Sequence, residues 1–124
     1  MKNGVLLINK PEGWTSRDVV NKVAKIYQAK KVGHTGTLDP LATGLLIVCI
    51  GKYTKLVESL TNKQKEYVAV MHLGQKTDTG DITGKVIEEK KVSLSDEEIK
   101  KAFLDFPREY VQTVPIYSAV KIKG

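Results

Sequence analysis

The chain has 124 residues, 41% of them hydrophobic and 27% charged, a balance typical of one globular domain with a buried core. No apolar run is long enough to span a bilayer, and the start of the chain lacks the apolar core of a signal peptide. The single cysteine, Cys49, excludes an internal disulfide, and because no export signal is recognised we expect a reducing, cytoplasmic location. The formal charge of +6, almost all from lysine, favours a polyanionic partner such as nucleic acid.

The first elements predicted along the chain are a strand and a helix. Residues 4–8 form a short apolar run, and the turn residues Lys10-Pro11-Glu12-Gly13 follow it. Thr15 or Ser16 can cap the next helix, since either hydroxyl can accept a hydrogen bond from an N–H group of the first turn. The predicted buried face of this helix has helical spacing and consists of Val19, Val20, Val23, Ile26 and Tyr27.

A glycine-rich stretch, GHTGTLDPLATG, occupies residues 33–44 and leads into an apolar run, 45–50, that has the length of a buried strand. Pro40 directs the preceding Asp39 away from helical dihedrals, towards a turn or extended conformation. Asp39 is therefore predicted to lie on an irregular loop held against a rigid strand, which is how folds commonly present a functional side chain. Asp-Pro is also ordinary turn chemistry, so this pattern alone does not establish a function.

Gly33-His34-Thr35-Gly36 matches the short GxxG clamp that KH-type modules close on an RNA backbone. Positive charge is expected on both sides of this stretch, from Lys10 and from Lys30 and Lys31, which are predicted to end the preceding helix. Lysine suits phosphate better than base edges. A non-catalytic RNA-binding module is therefore one hypothesis, although the KH loop joins two helices and the Asp-Pro and apolar run argue against a second helix here.

Further along the chain, residues 53–60 are predicted to form a short helix, and residues 65–74 alternate strictly, which predicts a strand. One face of that strand would carry Tyr67, Ala69, Met71 and Leu73. A polar, glycine-bearing loop is predicted over residues 75–84 and a second strand over residues 85–92.

Ser95-Asp96-Glu97-Glu98 is a capping box, so a helix is predicted from residue 95 to about 106, where Pro107 ends it. Its inward face would consist of Ile99, Ala102, Phe103 and Phe106. Residues 116–123 are strand-like and would leave a half-finished hairpin with an unpaired edge. We therefore expect the chain to be part of a larger domain.

The chemistry-bearing side chains fit neither a metal site nor a serine hydrolase. His34, Asp39, Cys49 and His72 are scattered, and no pair of them has helical ligand spacing. No serine lies on a nucleophile-elbow pattern. No metal site is therefore predicted.

Three motifs carry a resemblance to the TruB-type tRNA pseudouridine synthases. Residues 10–16 (KPEGWTS) resemble the family's KPxGxTS motif, residues 33–46 its GHTGTLDPLATGxL motif, and residues 117–124 its YSAxKxxG segment. The resemblance covers nearly the whole chain but only about half or less of the family's catalytic domain. Arg108 and Val114 depart from the glycine and proline common in the family, so the shape of that loop is not predicted.

This resemblance implies an α+β fold of the pseudouridine synthase type, with a mixed, largely antiparallel sheet flanked by helices. Residues 1–124 would be the N-terminal portion of the catalytic domain, and the remaining sheet, a catalytic-site arginine and a C-terminal RNA-binding (PUA) domain would lie outside them. The implied reaction converts uridine to pseudouridine at position 55 in the T loop of tRNA, after the base has been flipped out.

The resemblance also assigns roles to individual residues. Asp39 matches the essential aspartate, which either attacks the sugar carbon or takes a ribose proton. Tyr67 matches a tyrosine whose ring packs on the flipped base, and His34 a histidine that stacks in the space that the base leaves. Lys10 and Lys121 match motif lysines that contact phosphate or support the site.

The remaining contacts to RNA are expected from the lysines beside the glycine-rich stretch and from that stretch itself, namely Lys30, Lys31, Gly33, Gly36 and Thr37. The expected partner is the T stem-loop of tRNA, with no membrane, no required protein partner and a monomeric full-length enzyme. No cofactor is expected, because the reaction redistributes bonds within one nucleotide. Asp39 favours the enzyme over the RNA-binding module, since a phosphate clamp gains nothing from an anion at its centre.

Overall fold

The computed structural model describes residues 2–115, and the chain divides into two compact units, one ending at Tyr67 and one beginning at Val68. The predicted strand over residues 116–123, and Lys121 with it, lie outside the described residues. Within residues 2–115, none of the helices has both the length and the apolar character needed to cross a bilayer.

The first unit contains a three-stranded antiparallel sheet of β1 (Gly4–Lys10), β2 (Val32–His34) and β3 (Gly44–Ile50), with β3 in the centre. The predicted strands over residues 4–8 and 45–50 are confirmed. β1 runs two residues further than predicted, to Lys10, because Lys10 still pairs with Gly44. β2 was not predicted, and it removes Gly33 and His34 from the expected loop.

Helix α1 (Ser16–Tyr27) packs on this sheet, and its N-cap is Thr15. The Thr15 hydroxyl accepts from the Asp18 N–H at 2.9 Å, while Asp18 Oδ2 accepts from the Thr15 N–H at 2.9 Å. Hydrogen bonds from the Thr15 backbone and then its hydroxyl lower the pKa of the Asp18 carboxyl. The core of the unit is a cluster of apolar side chains from α1 and β3, namely Val19, Val23, Leu46, Val48 and Ile50.

Two predictions about α1 are wrong. Ile26 is 61% exposed, although it was expected on the buried face. The helix ends at Tyr27, because Gln28 adopts a left-handed conformation (φ 51°) and its N–H donates to carbonyls of the last turn. Lys30 and Lys31 therefore follow the helix as part of its connection to β2, and both are exposed.

The predicted helix over residues 53–60 is present, but its first part is a 3₁₀ helix (Gly51–Leu56) that leads into α2 (Val57–Thr61). The predicted strand over residues 65–74 is absent. Val68 and Val70 are 94% and 96% exposed, and no described strand pairs with this segment. Alternation specifies which side chains share a face, but a strand also needs a neighbour that accepts its backbone hydrogen bonds.

The second unit contains a hairpin of β4 (Gln75–Thr77) and β5 (Val86–Glu89), followed by α3 (Asp96–Asp105). β4 lies in the predicted polar loop, and β5 is shorter than expected. α3 is confirmed, with the Ser95 hydroxyl accepting from the Glu98 N–H at 3.2 Å. The described residues do not bury the predicted inward face of α3. Ile99 is half-buried, and Ala102, Phe103 and Phe106 are exposed.

Candidate functional site

The loop between β2 and β3, residues 35–43, carries Asp39. The chain on its N-terminal side is attached to the start of α1: the Leu38 N–H donates to Ser16 Oγ at 2.9 Å, and Ser16 Oγ donates to the Leu38 carbonyl at 3.4 Å. Ser16 is 3% exposed. The residue immediately before Asp39 is therefore held through both of its backbone polar groups by one buried hydroxyl.

The chain on the C-terminal side of Asp39 is attached to the end of β1. The Pro40 carbonyl accepts from the Gly13 N–H at 2.7 Å and from Lys10 Nζ at 3.1 Å. Lys10 Nζ also donates to the carbonyls of Pro11 at 2.9 Å and Trp14 at 2.7 Å. One lysine thus joins the end of β1, the following turn and the Asp39 loop.

Lys10 is 0% exposed, and a buried ammonium is tolerated only where its donors are satisfied, as they are here by three carbonyls. The prediction that Lys10 contacts RNA phosphate is therefore wrong for this conformation, since its charge is enclosed by the protein. The other role considered for it, support of the site, agrees with the geometry.

Removing the charge of Lys10 is expected to destabilise the first unit. Lys10→Met keeps the length of the side chain but leaves the Pro11, Trp14 and Pro40 carbonyls without this donor, at a cost of about 1–3 kcal/mol. Urea unfolding followed by fluorescence of Trp14, the only tryptophan of the chain, measures this change. Lys22→Met, the same substitution at an exposed lysine of α1, should change stability by less than about 0.5 kcal/mol. Equal stabilities of the two variants would contradict the role of Lys10.

Asp39 is held by its backbone while its side chain is exposed. Its carbonyl accepts from the Ala42 N–H at 2.9 Å, which closes a turn over Pro40 and Leu41. Within residues 2–115 its carboxylate makes no hydrogen bond and no ion pair with another side chain. A carboxylate on a fixed backbone, facing solvent, is available to a molecule that approaches from outside.

His34 lies at the end of β2, at the entrance to the same loop. Its Nδ1 is 3.0 Å from the Gly36 carbonyl and 3.4 Å from the Gly36 N–H. In the shorter contact Nδ1–H donates to the carbonyl. The Lys65 side chain lies across Gly36, with Cε 3.5 Å from the place that a Cβ would occupy.

The GxxG stretch is not a connection between two helices, because Gly33 and His34 belong to β2 and Thr35 continues its pairing by donating to the Ile47 carbonyl at 3.0 Å. This geometry differs from the KH-type clamp, which joins two helices. The hypothesis of a non-catalytic KH-like module therefore has no support from the loop's surroundings.

The other predicted site residues are not all gathered at the loop. Thr37 lies on it and is exposed, and Lys30 and Lys31 are exposed just before β2. Tyr67 is 67% exposed, lies outside any helix or strand, and its hydroxyl makes no hydrogen bond among residues 2–115. In the described part of the chain, no group of three or more His, Cys, Asp or Glu side chains could hold a metal ion.

Two of the residues that anchor the loop, Ser16 and Gly13, were not predicted to do so. Ser16 was considered only as a helix cap, and Gly13 only as a turn residue. A signal for Ser16 was nevertheless present: Thr15 with Asp18 three residues later completes a capping box, which leaves the Ser16 hydroxyl for another partner. Its actual partner, Leu38, is 22 residues away and cannot be read from local spacing.

Residues 24–124 match the family model described as the N-terminal domain of the TruB family of pseudouridylate synthases. The chain belongs to the TruB family. The family prediction made from the three motifs is therefore confirmed, and the matched residues include the whole Asp39 loop. The KPEGWTS segment, which contains Lys10 and Ser16, precedes them.

Relatives of this TruB-family chain match it along its whole length. It is 53% identical over 126 residues to tRNA pseudouridine synthase B of Bacillus pumilus (strain SAFR-032), covering 100% of this chain and 41% of the relative. It is 51% identical over 122 residues to the protein of the same name from Alkaliphilus oremlandii (strain OhILAs), covering 98% and 41%. The chain thus spans about two fifths of the length of these relatives.

Among solved structures, the chain is similar to one from the crystal structure of a Cbf5-Nop10-Gar1 complex. The TM-score is 0.63 at 28% identity, over 95% of this chain and 31% of that one. Together with the helices and small antiparallel sheets described above, this similarity confirms the predicted α+β fold class.

Proposed function

We propose that this TruB-family chain is the N-terminal part of the catalytic domain of an enzyme that converts uridine 55 in the T loop of tRNA to pseudouridine. The observation that carries the proposal is the presentation of Asp39: its neighbours are anchored by Ser16 on one side and by Lys10 and Gly13 on the other, while its carboxylate faces solvent. The names of the relatives, tRNA pseudouridine synthase B, supply the substrate class.

In the proposed reaction the uridine is flipped out of the T loop, because no side chain reaches its glycosidic bond inside the folded RNA. The C1′–N1 bond breaks, the base turns, C5 bonds to C1′, the proton on C5 leaves and N1 takes up a proton, so the product is an isomer of the starting nucleotide. Asp39 either attacks C1′ or takes a ribose proton, and both roles require the ionised carboxylate. This rearrangement involves no net oxidation or reduction, so it needs no electron carrier, and no metal is expected to take part.

Two other side chains have proposed places around the flipped base. His34, whose Nδ1 is occupied by the Gly36 carbonyl, presents its ring at the start of the Asp39 loop, where it would fill the space that the base leaves. The Tyr67 ring would pack on the base and its hydroxyl would help to remove the C5 proton. The proposed partner is tRNA in the cytoplasm, without a required protein partner.

The test of this function uses a chimaera, called here the completed chain, in which this chain replaces the matching part of the Bacillus pumilus relative. Incubated with tRNA that carries tritium on C5 of uridine, the completed chain should release about one equivalent of tritium per tRNA, because only C5 of the modified nucleotide loses its hydrogen. Absence of release at enzyme excess would contradict the proposed function.

Binding of tRNA is expected to depend on salt through Lys30 and Lys31, which are exposed beside β2. Each phosphate contact on single-stranded RNA contributes about −0.7 to the slope of log K against log salt, so Lys30→Ala with Lys31→Ala should flatten the slope by about 0.7–1.4. Fluorescence anisotropy of labelled tRNA with the completed chain, across a series of KCl concentrations, measures the slope.

The matched control for this pair is Lys100→Ala with Lys101→Ala, two adjacent exposed lysines on α3 whose loss changes the net charge equally. The control should leave the slope within about 0.3 of the unmodified chain. Equal flattening by both pairs would mean that net charge alone, and not contact at Lys30 and Lys31, sets the salt dependence.

A further inference from the structure

Ser16 is buried at the start of α1, but its hydroxyl does not cap the helix. The N-cap is Thr15, which makes the capping box with Asp18, so the first turn is capped without Ser16. Among residues 2–115, the Ser16 hydroxyl instead makes its hydrogen bonds to Leu38, accepting from the Leu38 N–H at 2.9 Å and donating to the Leu38 carbonyl at 3.4 Å. The first bond holds the peptide group that enters Leu38 and the second holds the one that enters Asp39, so together they restrict the backbone on both sides of Leu38.

We infer that Ser16 is a positioning residue for Asp39. The Leu38 carbonyl belongs to the peptide that enters Asp39, so the hydrogen bond from Ser16 sets the plane of that peptide and with it the direction in which the Asp39 side chain leaves the backbone. This inference rests on the proposed function, because it gives Ser16 its effect through the carboxylate of Asp39. Ser16 itself does not touch the substrate.

The packing of Leu38 explains why the hydroxyl is needed in addition to apolar contact. The Leu38 side chain is partly buried against the core cluster, which holds the residue near the sheet. Apolar packing is not directional, whereas a hydrogen bond fails when its donor and acceptor turn away from each other. Loss of the hydroxyl should therefore leave Leu38 in place and free its peptide to rotate.

Ser16→Ala and Thr15→Ala form a matched pair that separates positioning from stability. Both remove one hydroxyl from the start of α1, but among residues 2–115 the Thr15 hydroxyl bonds only to the Asp18 N–H, so its loss should lower the melting temperature without affecting the loop. In the 124-residue chain, hydrogen exchange of the Leu38 amide should be at least about tenfold faster in Ser16→Ala, relative to the amides of β3, and unchanged in Thr15→Ala.

In the completed chain, Ser16→Ala should lower kcat for pseudouridine formation by about 10- to 100-fold, the range expected when a reacting group is misplaced by about 1 Å. The Kd for tRNA should stay within about twofold, because no RNA contact is lost. Thr15→Ala should keep kcat despite its lower melting temperature, and Ser16→Thr, which keeps the hydroxyl, should recover most of the lost turnover.

Unchanged kcat in Ser16→Ala, or an equal loss in Thr15→Ala, would overturn the positioning role. A rise in the Kd that accounts for the whole loss of activity would also overturn it. If the unmodified completed chain forms no pseudouridine, the proposed function fails, and with it the catalytic effect assigned to Ser16. The exchange rate of the Leu38 amide would still show whether Ser16 anchors the loop, so the two failures are distinguishable.

Discussion

Asp39→Asn in the completed chain is expected to abolish conversion of uridine while leaving tRNA binding within about threefold of the unmodified chain. Asparagine keeps the size of the side chain and its capacity for hydrogen bonds but cannot act as a carboxylate nucleophile or base. Because Asp39 is exposed and makes no ion pair among the described residues, the substitution should leave the fold intact. We expect the rate of tritium release from C5-labelled tRNA to fall by at least about 10³-fold.

The control for this variant is Asp105→Asn, which removes one exposed carboxylate at the end of α3 and changes the net charge equally. It should release tritium at the rate of the unmodified completed chain. If Asp39→Asn turned over within about tenfold of that rate, Asp39 would have no part in the chemical step. The proposed reaction would then lose its main support.

The second large effect is expected from the 124-residue chain by itself, which should form no pseudouridine even at enzyme excess. The family's arginine partner for the aspartate is expected outside residues 1–124, and no described cation pairs with Asp39. Tyr67 is 67% exposed, and no described strand pairs with its segment. A site in which neither the Asp39 carboxylate nor the Tyr67 hydroxyl has a partner among the described residues lacks part of the advantage of orientation, which is worth several orders of magnitude in rate.

This prediction is measured by incubating the isolated chain and the completed chain side by side with unmodified tRNA and quantifying pseudouridine by mass spectrometry of the digested RNA. Far-ultraviolet circular dichroism of the isolated chain provides the control that it is folded. One pseudouridine per tRNA from the isolated chain would contradict the need for the further residues and the role assigned to the arginine.

The part of the fold that could be predicted is the part whose local pattern and tertiary surroundings agree. β1, β3 and α1 bury one another, so the apolar runs and the helical spacing of Val19 and Val23 led to correct elements. Residues 65–74 and the apolar face of α3 have equally clear patterns, but the described residues provide no neighbour that covers them. An apolar pattern indicates which face of a segment can be buried, but it does not indicate whether another segment is present to cover that face.

In the candidate site, too, locally determined features could be predicted and tertiary contacts could not. Asp39 could be placed on a loop because Pro40 restricts the residue before it, a local effect. The burial of Lys10 could not be predicted, since a lysine is expected at the surface and this one is enclosed by carbonyls of a turn and of a distant loop. The contact between Ser16 and Leu38 likewise depends on how α1 lies beside the loop. These contacts are tertiary, and they are what holds Asp39.

The most direct test of the central claim is to map the modified nucleotide. Unmodified tRNA treated with the completed chain is reacted with a carbodiimide, which remains attached to pseudouridine after alkaline washing, and the sites are read as stops of reverse transcriptase. We expect one new stop, next to position 55 in the T loop, that is absent after treatment with Asp39→Asn. A stop at another position, or an equal stop with the Asp39→Asn variant, would contradict it.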